Sequence, residues 1–255
     1  MVPVTAELTD RWLPLDAGLN VRDVGGLPCS DGRTTRRRVL VRSGSLRGLT
    51  PSDVERLTAA GVRTVLDLRT VRELQADGPS PLARAGVPTV HAPLISDDRP
   101  ALPEARTDSD AETALRQAYQ GYVDQRGYSL VAAVRVVARA DSGAVLVHCA
   151  AGKDRTGVTV GVALDAVGVE RDAVLDDYTA TNEVVRHVMT TLAVAAGYAD
   201  EVEGMDMTRH YARAAALRSV LDRFDAEHGG AAGWLLAHGL RPDEFDGLRA
   251  RLVDD

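Results

Sequence analysis

Cys149, Lys153, Asp154, Arg155 and Thr156 lie close together in the stretch AVLVHCAAGKDRTGVTVGVAL, residues 144–164. The stretch passes from a run of β-formers through a short loop into an apolar helical pattern. A strand that ends at a thiol, turns tightly and enters a helix can aim successive backbone N–H groups into one concavity, where an anion binds. Phosphate is the natural guest. The same cradle suits a nucleophile: a free cysteine with a pKa of about 8.5 is mostly thiol at neutral pH, and a helix N-terminus with nearby cations favours the thiolate. The spacing lets Arg155 fold back and grip two phosphoryl oxygens with its planar fork. The hydroxyl of Thr156 can donate to the sulfur as it leaves. Lys153 is the single lysine in a chain whose Lys and Arg total 30. In so arginine-biased a sequence this suggests a place where a compact ammonium fits and a planar fork does not.

Other loop chemistries fail on spacing. A Walker A loop needs glycine five positions before its Gly-Lys pair and Ser or Thr after it, but those places hold Val147 and Asp154. A zinc site needs further Cys or His at ligand spacing; the six histidines are scattered, and neither His-Glu-x-x-His nor Cys-x-x-Cys occurs. His148, beside the cysteine at a strand end, reads as a buried hydrogen-bonding residue that shapes the loop.

These side chains need a scaffold. Four β-rich runs stand out, Val39 to Arg42, Thr64 to Leu68, Thr89 to Leu94 and Ala144 to His148, and helical patterns separate them. This predicts an α/β fold, a central sheet of about four or five strands flanked by helices. The first helix is signalled by Thr50 as N-cap, Pro51 at the first helical position, Asp53 in the first turn and Gly61 as terminator. Residues 96–110 read as a polar surface loop, and helical periodicity returns from Ala111 to Ala140, interrupted by Gly121 and Gly127. The region from Asp172 to Asp225 reads as two or more helices broken near AAGYADEVEG, and the tail as two short helices split by Gly239 and Pro242. Periodicity leaves open whether these C-terminal helices bundle beside the sheet or form a lid over the site.

At 255 residues and 27.2 kDa the chain fits one large domain with a core over about 15–170 and a helical portion over about 171–255. The hydrophobic content of 45% supplies a core. A net charge of −7 argues against a duplex nucleic-acid partner. No apolar run is long enough for a membrane span, and the first residues lack a signal peptide's basic and apolar regions. A cytoplasmic protein is expected, with export by a signal-independent route left open. In that setting Cys29 and Cys149 are read as free thiols, Cys29 as an incidental one in a turn-rich loop.

HCAAGKDRTG resembles the Cys-x5-Arg-Thr signature of the cysteine-dependent protein tyrosine phosphatase superfamily. Its Gly-Lys-Asp-Arg-Thr-Gly version is similar to a bacterial and fungal branch of atypical tyrosine and dual-specificity phosphatases, some of which act on phosphoinositides. NVRDVGG, at Asn20 to Gly26, resembles the Asn-Phe-Arg-Asp-x-Gly-Gly box of that branch, and VLVRSGSL and VLDLRTVRE also fit its pattern. The resemblance runs from about residue 15 into the C-terminal helices and implies a tyrosine phosphatase-like fold. It further implies a cysteinyl-phosphate intermediate on Cys149, phosphate bound by Arg155 and the amides of Ala150, Ala151, Gly152, Lys153, Asp154 and Arg155, with no metal or cofactor. A phosphorylated protein or a phosphoinositide would be the substrate. Lysine at position 153 keeps the inositol lipids open.

The chain departs from the receptor-type pattern in having no Trp-Pro-Asp loop, so the general acid lies elsewhere. The candidates are Asp154, which the branch is thought to use, Asp97 or Asp98 in the polar loop, and Asp67, mainly as a support orienting Lys153 or Arg155. An ion pair of Asp67 with Arg69 is the structural alternative. Asn20, Arg22 or Asp23 is expected to brace the cysteine loop, with Gly25 and Gly26 forming a turn. Two competing functions remain at this level: a phospho-binding pseudophosphatase, and a sulfurtransferase carrying a persulfide on the same thiol.

Overall fold

The computed structural model describes residues 11–98, 107–195 and 206–254. Among them five strands, β1 (Arg22–Asp23), β2 (Leu40–Ser43), β3 (Val62–Asp67), β4 (Thr89–His91) and β5 (Ala144–His148), form one sheet in the order β1-β2-β5-β3-β4. β1 runs antiparallel to β2 and the other pairings are parallel. The helices are α1 (Pro51–Ala59), α2 (Val71–Asp77), α3 (Pro81–Arg84), α4 (Asp108–Arg139), α5 (Asp154–Ala166), α6 (Arg171–Thr179), α7 (Val185–Ala195), α8 (Ala214–His228), α9 (Ala231–Ala237) and α10 (Pro242–Leu252). Two 3₁₀ turns, Ala180–Glu183 and Met207–His210, complete the set.

β5 is the central strand, buried along its length, which is why it reads AVLVH rather than alternating polar and apolar. Its two faces feed two cores. Val145 and Val147 join the larger core with α4, α5, α8, α9 and α10. Ala144 and Leu146 join a smaller one with Leu57 of α1 and Leu82 of α3. β2, β5 and β3 therefore end together on one edge, where a parallel sheet offers a site at the carboxyl ends of its strands.

Three of the expected strands are present within one or two residues, the one expected over Thr89 to Leu94 ends three residues early at His91, and a two-residue β1 joins them. Thr50 and Asp53 form a reciprocal capping box at α1. The Asp53 carboxylate also accepts from the amides of Asp16 and Ala17 at 2.7 and 3.1 Å, tying down the segment that leads to Asn20. The loop expected to reach Asp110 ends earlier: Thr107 caps α4, accepting from the Asp110 amide while the Asp110 side chain accepts from its own. The irregularity in α4 falls at Arg126 (φ −134°) rather than at a glycine. Of the two arrangements open for the C-terminal helices, α8, α9 and α10 adopt the bundle, with Phe224, Trp234, Leu235 and Leu248 in one core with Leu130 and Val134. Most of the predicted break near residues 195–204 lies outside the described residues.

Both cysteines are free thiols. Cys29 is not an incidental loop thiol: it pairs with Val169 in an isolated bridge, and its burial pushes the thiol up. No helix among the described residues is long and apolar enough to cross a membrane.

Candidate active site

Cys149 follows the last residue of β5 and is buried; the loop then turns through Gly152 and enters α5 at Asp154. Gly152 has φ +68°, and a Cβ there would lie 2.6 Å from the Gly44 nitrogen and from the Ser43 carbonyl, so both the turn and its seat against β2 require glycine. None of the amides of Ala150, Ala151, Gly152, Lys153, Asp154 and Arg155 donates to another described group. The hydroxyl of Thr156 is likewise buried without a partner among the described residues. A loop with this many unengaged donors at a helix N-terminus is built to surround an anion.

The loop is held from outside. Asn20, at φ +55°, donates its side-chain amide to the Ala151 and Gly152 carbonyls at 3.2 and 3.0 Å. Arg42 adds a 2.9 Å bond to the Gly152 carbonyl, and Arg22 donates to the Asn20 side-chain oxygen. Ser45 donates its amide to the Ala150 carbonyl at 2.7 Å. Of the three residues expected to brace, Asn20 does so directly and Arg22 through Asn20. Asp23 does not: its carboxylate accepts from the Gly25 and Arg38 amides at 2.9 and 2.8 Å and shapes the turn.

Arg155 meets Glu73 of α2 in a bidentate pair at 2.5 and 2.9 Å. Burial opposes charge on Arg155, but Glu73 and Cys149 raise the guanidinium above its ordinary value. Glu73 uses two of five donors, which leaves the remaining N–H groups for a ligand. The Lys153 ammonium lies 2.7 Å from the His210 carbonyl and 3.8 Å from the Asp154 carboxylate. Asp154 accepts from the Tyr119 hydroxyl at 2.7 Å, and the Tyr119 and Tyr178 hydroxyls are 2.6 Å apart. Both tyrosines are fully buried, and burial raises both phenols. Asp154 is thus held on a rigid support with its other oxygen partly open.

The remaining acids do other work. Asp67 orients neither Lys153 nor Arg155. It pairs with Arg69 at 2.8 Å and faces His148 at 3.5 Å, because a residue two positions on in the same turn outcompetes one across the loop. Burial pushes the Asp67 carboxyl up, but bonds from His148 and Arg69 outweigh it and hold it well below the usual range. Asp97 accepts from the Arg72 amide at 3.1 Å at the start of α2, and a hydrogen bond with Thr70 lowers its carboxyl. Asp98 is exposed.

A model of the tyrosine phosphatase family matches residues 13–254. The chain belongs to that family. A tyrosine-protein phosphatase of Nostoc commune is 29% identical over 83% of this chain and 73% of that protein. The triple specificity protein phosphatase PtpB of Mycobacterium tuberculosis is 27% identical over 70% of each. The crystal structure of TpbA from Pseudomonas aeruginosa, 19% identical, covers 70% of this chain and 88% of its own and superposes at a TM-score of 0.31. Membership of the family matched over residues 13–254 makes the chain a cysteine-dependent tyrosine phosphatase.

Sequence reasoning on the phosphatase missed Glu73, Arg42, Tyr119, Tyr178 and Asp177. Glu73 and Arg42 stand inside VLDLRTVRE and VLVRSGSL, segments already marked by their resemblance. The two tyrosines and Asp177 carried no local signal.

Proposed function

We propose that the protein hydrolyses phosphotyrosine in proteins, extending to phosphoserine, phosphothreonine and phosphoinositides, as a member of the atypical bacterial and fungal branch. The observation that carries this reading is the cradle itself: a buried thiol at a strand end, faced by the unengaged amides of residues 150–155 and by Arg155. In the first step the Cys149 thiolate attacks phosphorus; the S–P bond forms as the bond to the leaving oxygen breaks, and Asp154 gives that oxygen its proton. In the second, Asp154 takes a proton from water, the water oxygen attacks phosphorus, and the S–P bond breaks to return the thiolate and release phosphate. Ala150, Ala151, Gly152 and the rest of the loop amides hold the equatorial oxygens with Arg155, Lys153 adds charge, and the Thr156 hydroxyl steadies the departing sulfur. Asp154 is favoured over Asp97 and Asp98 because Tyr119 pins one of its oxygens beside the loop, whereas Asp97 is engaged in capping α2. The breadth of substrate is supported by the similarity to a phosphatase named for triple specificity, and by a cavity of about 450 Å³ lined in part by Leu19, Arg47, Leu192 and Ser45, the last of which bonds the Ala150 carbonyl of the loop.

The test is hydrolysis, with chelator present, of a phosphotyrosine peptide, a phosphoserine peptide and a phosphoinositide by wild type and Cys149→Ser. Turnover is expected on the tyrosine peptide first and is abolished by the substitution. Oxyanion binding without turnover on any substrate would leave a pseudophosphatase instead. Asp154→Asn is expected to depress turnover of an alkyl phosphate more than that of an activated aryl phosphate; equal effects would remove Asp154 as the acid.

A further inference from the structure

Behind the cysteine loop, three guanidinium groups converge on one carboxylate. Arg11, Arg22 and Arg42 reach Asp177 of α6 at 2.9, 3.2 and 2.6 Å, and all four side chains are buried. No second carboxylate among the described residues pairs with any of the three, so two positive charges stand unbalanced in the interior. Burial and the neighbouring Arg42 pull Arg22 down to about 9, which still leaves it charged at neutral pH. The Arg42 Nε is buried without a partner. The cations at the front of the loop are, by contrast, matched: Arg155 by Glu73, and Lys153 opposite Asp154.

Uncompensated buried charge is costly unless an opposite charge lies near. Arg42 donates to the Gly152 carbonyl, so a single layer of peptide separates the cluster from the concave side of the loop. We propose that Arg11, Arg22 and Arg42 form an electrostatic pedestal whose excess charge stabilises the Cys149 thiolate and a doubly charged oxyanion in the loop, and that such an oxyanion in turn stabilises the fold. The proposal deepens the phosphatase reading and rests on it. The three arginines touch no reacting atom and are positioning residues, acting through the loop. The other charged and titrating groups around Cys149 and Arg155 among the described residues include His148, Lys153 and Asp154 from the same strand and loop, Glu73 from α2, Tyr122 and Tyr119 from α4, Asp67 and Arg69 behind His148, and His210 beside Lys153.

The experiment measures the rate of alkylation of Cys149 by iodoacetate against pH, with Cys149→Ser supplying the background from Cys29. Arg42→Met is expected to raise the titration midpoint by about one unit and weaken inhibition by phosphate about tenfold, whereas Arg42→Lys, which keeps the charge, leaves the midpoint near that of wild type. Equal shifts in Met and Lys variants, or none in either, would overturn the pedestal. Arg11→Met removes charge from a residue whose side chain, among the described residues, bonds only Asp177; it is expected to move the midpoint the same way by less, and serves if Arg42→Met fails to fold. Vanadate is expected to raise the melting temperature of wild type more than that of either Met variant, and an equal rise would count against the proposal. A low wild-type midpoint without turnover would sink the phosphatase reading and leave the pedestal standing. Turnover with unmoved midpoints would do the reverse.

Discussion

Arg155 is useful only if its fork points into the cradle, and Glu73 fixes that direction with two parallel bonds. Glu73→Gln keeps the shape and an acceptor but discards the charge. A charge-assisted hydrogen bond contributes about 1.5–3 kcal/mol, so kcat/KM for an aryl phosphate is expected to fall roughly 10- to 100-fold. Steady-state kinetics checks it, and an unchanged kcat/KM would mean that Arg155 is positioned without Glu73. The contrast between these two residues also marks what the sequence made legible. Cys149 and Arg155 belong to one loop, and their spacing along the chain is their spacing in space. Glu73 comes from another helix, and nothing in VRE says which cation it meets. Asp67 shows the same locality from the other side: its pairing with Arg69, two positions on, was among the readings the chain offered, and it is that local pair, not a bond to Lys153 or Arg155, that forms.

The elements matter because β5 and α5 must meet at a sharp angle, with the loop between them seated on β2. Gly152 makes both conditions compatible, and Gly157 lets α6 press close, since a Cβ there would lie 2.7 Å from the Tyr178 ring. Gly152→Ala places a side chain at positive φ and against backbone at 2.6 Å. It is expected to cost about 1–3 kcal/mol in strain and to abolish turnover even where the protein remains folded. Urea melts alongside kinetics separate the two effects, and full activity in the variant would show that the loop tolerates another turn. β2 and β5 were readable because buried parallel strands are continuous apolar, β-branched runs bounded by turns, whereas β4, largely exposed at the sheet edge, stops three residues before the end of the run that marked it. β1 was not, being two residues long and made of Arg22 and Asp23, whose types suit a turn better than a strand. The start of α4 was read as loop because DSD looks like turn chemistry, while its role is to cap a helix.

Across the whole molecule, Asp177 is the point where the N-terminal segment, β1, β2 and α6 are joined. Burial would push its carboxyl up, but Arg22, Arg42 and Arg11 outweigh burial and hold it far below the usual range. A carboxylate lower in the folded than in the unfolded state contributes stability that is fully present above the unfolded value of about 3.9 and is lost as pH falls towards the folded one. Asp67 adds to the same acid limb. Stability from these two groups should therefore hold from neutral pH down to about 5 and decline steeply below about 4. Asp177→Asn strands three buried guanidinium groups, at a cost of about 3–5 kcal/mol at neutral pH, and flattens the acid limb because the titrating group is gone. Urea unfolding between pH 2 and 7 measures both, and parallel pH dependences in wild type and variant would show that Asp177 does not govern acid unfolding. Removing the carboxylate also increases the unbalanced charge behind the loop. Phosphate should therefore stabilise the Asn variant by more than it stabilises wild type, whereas a purely structural ion pair would give the two proteins the same response.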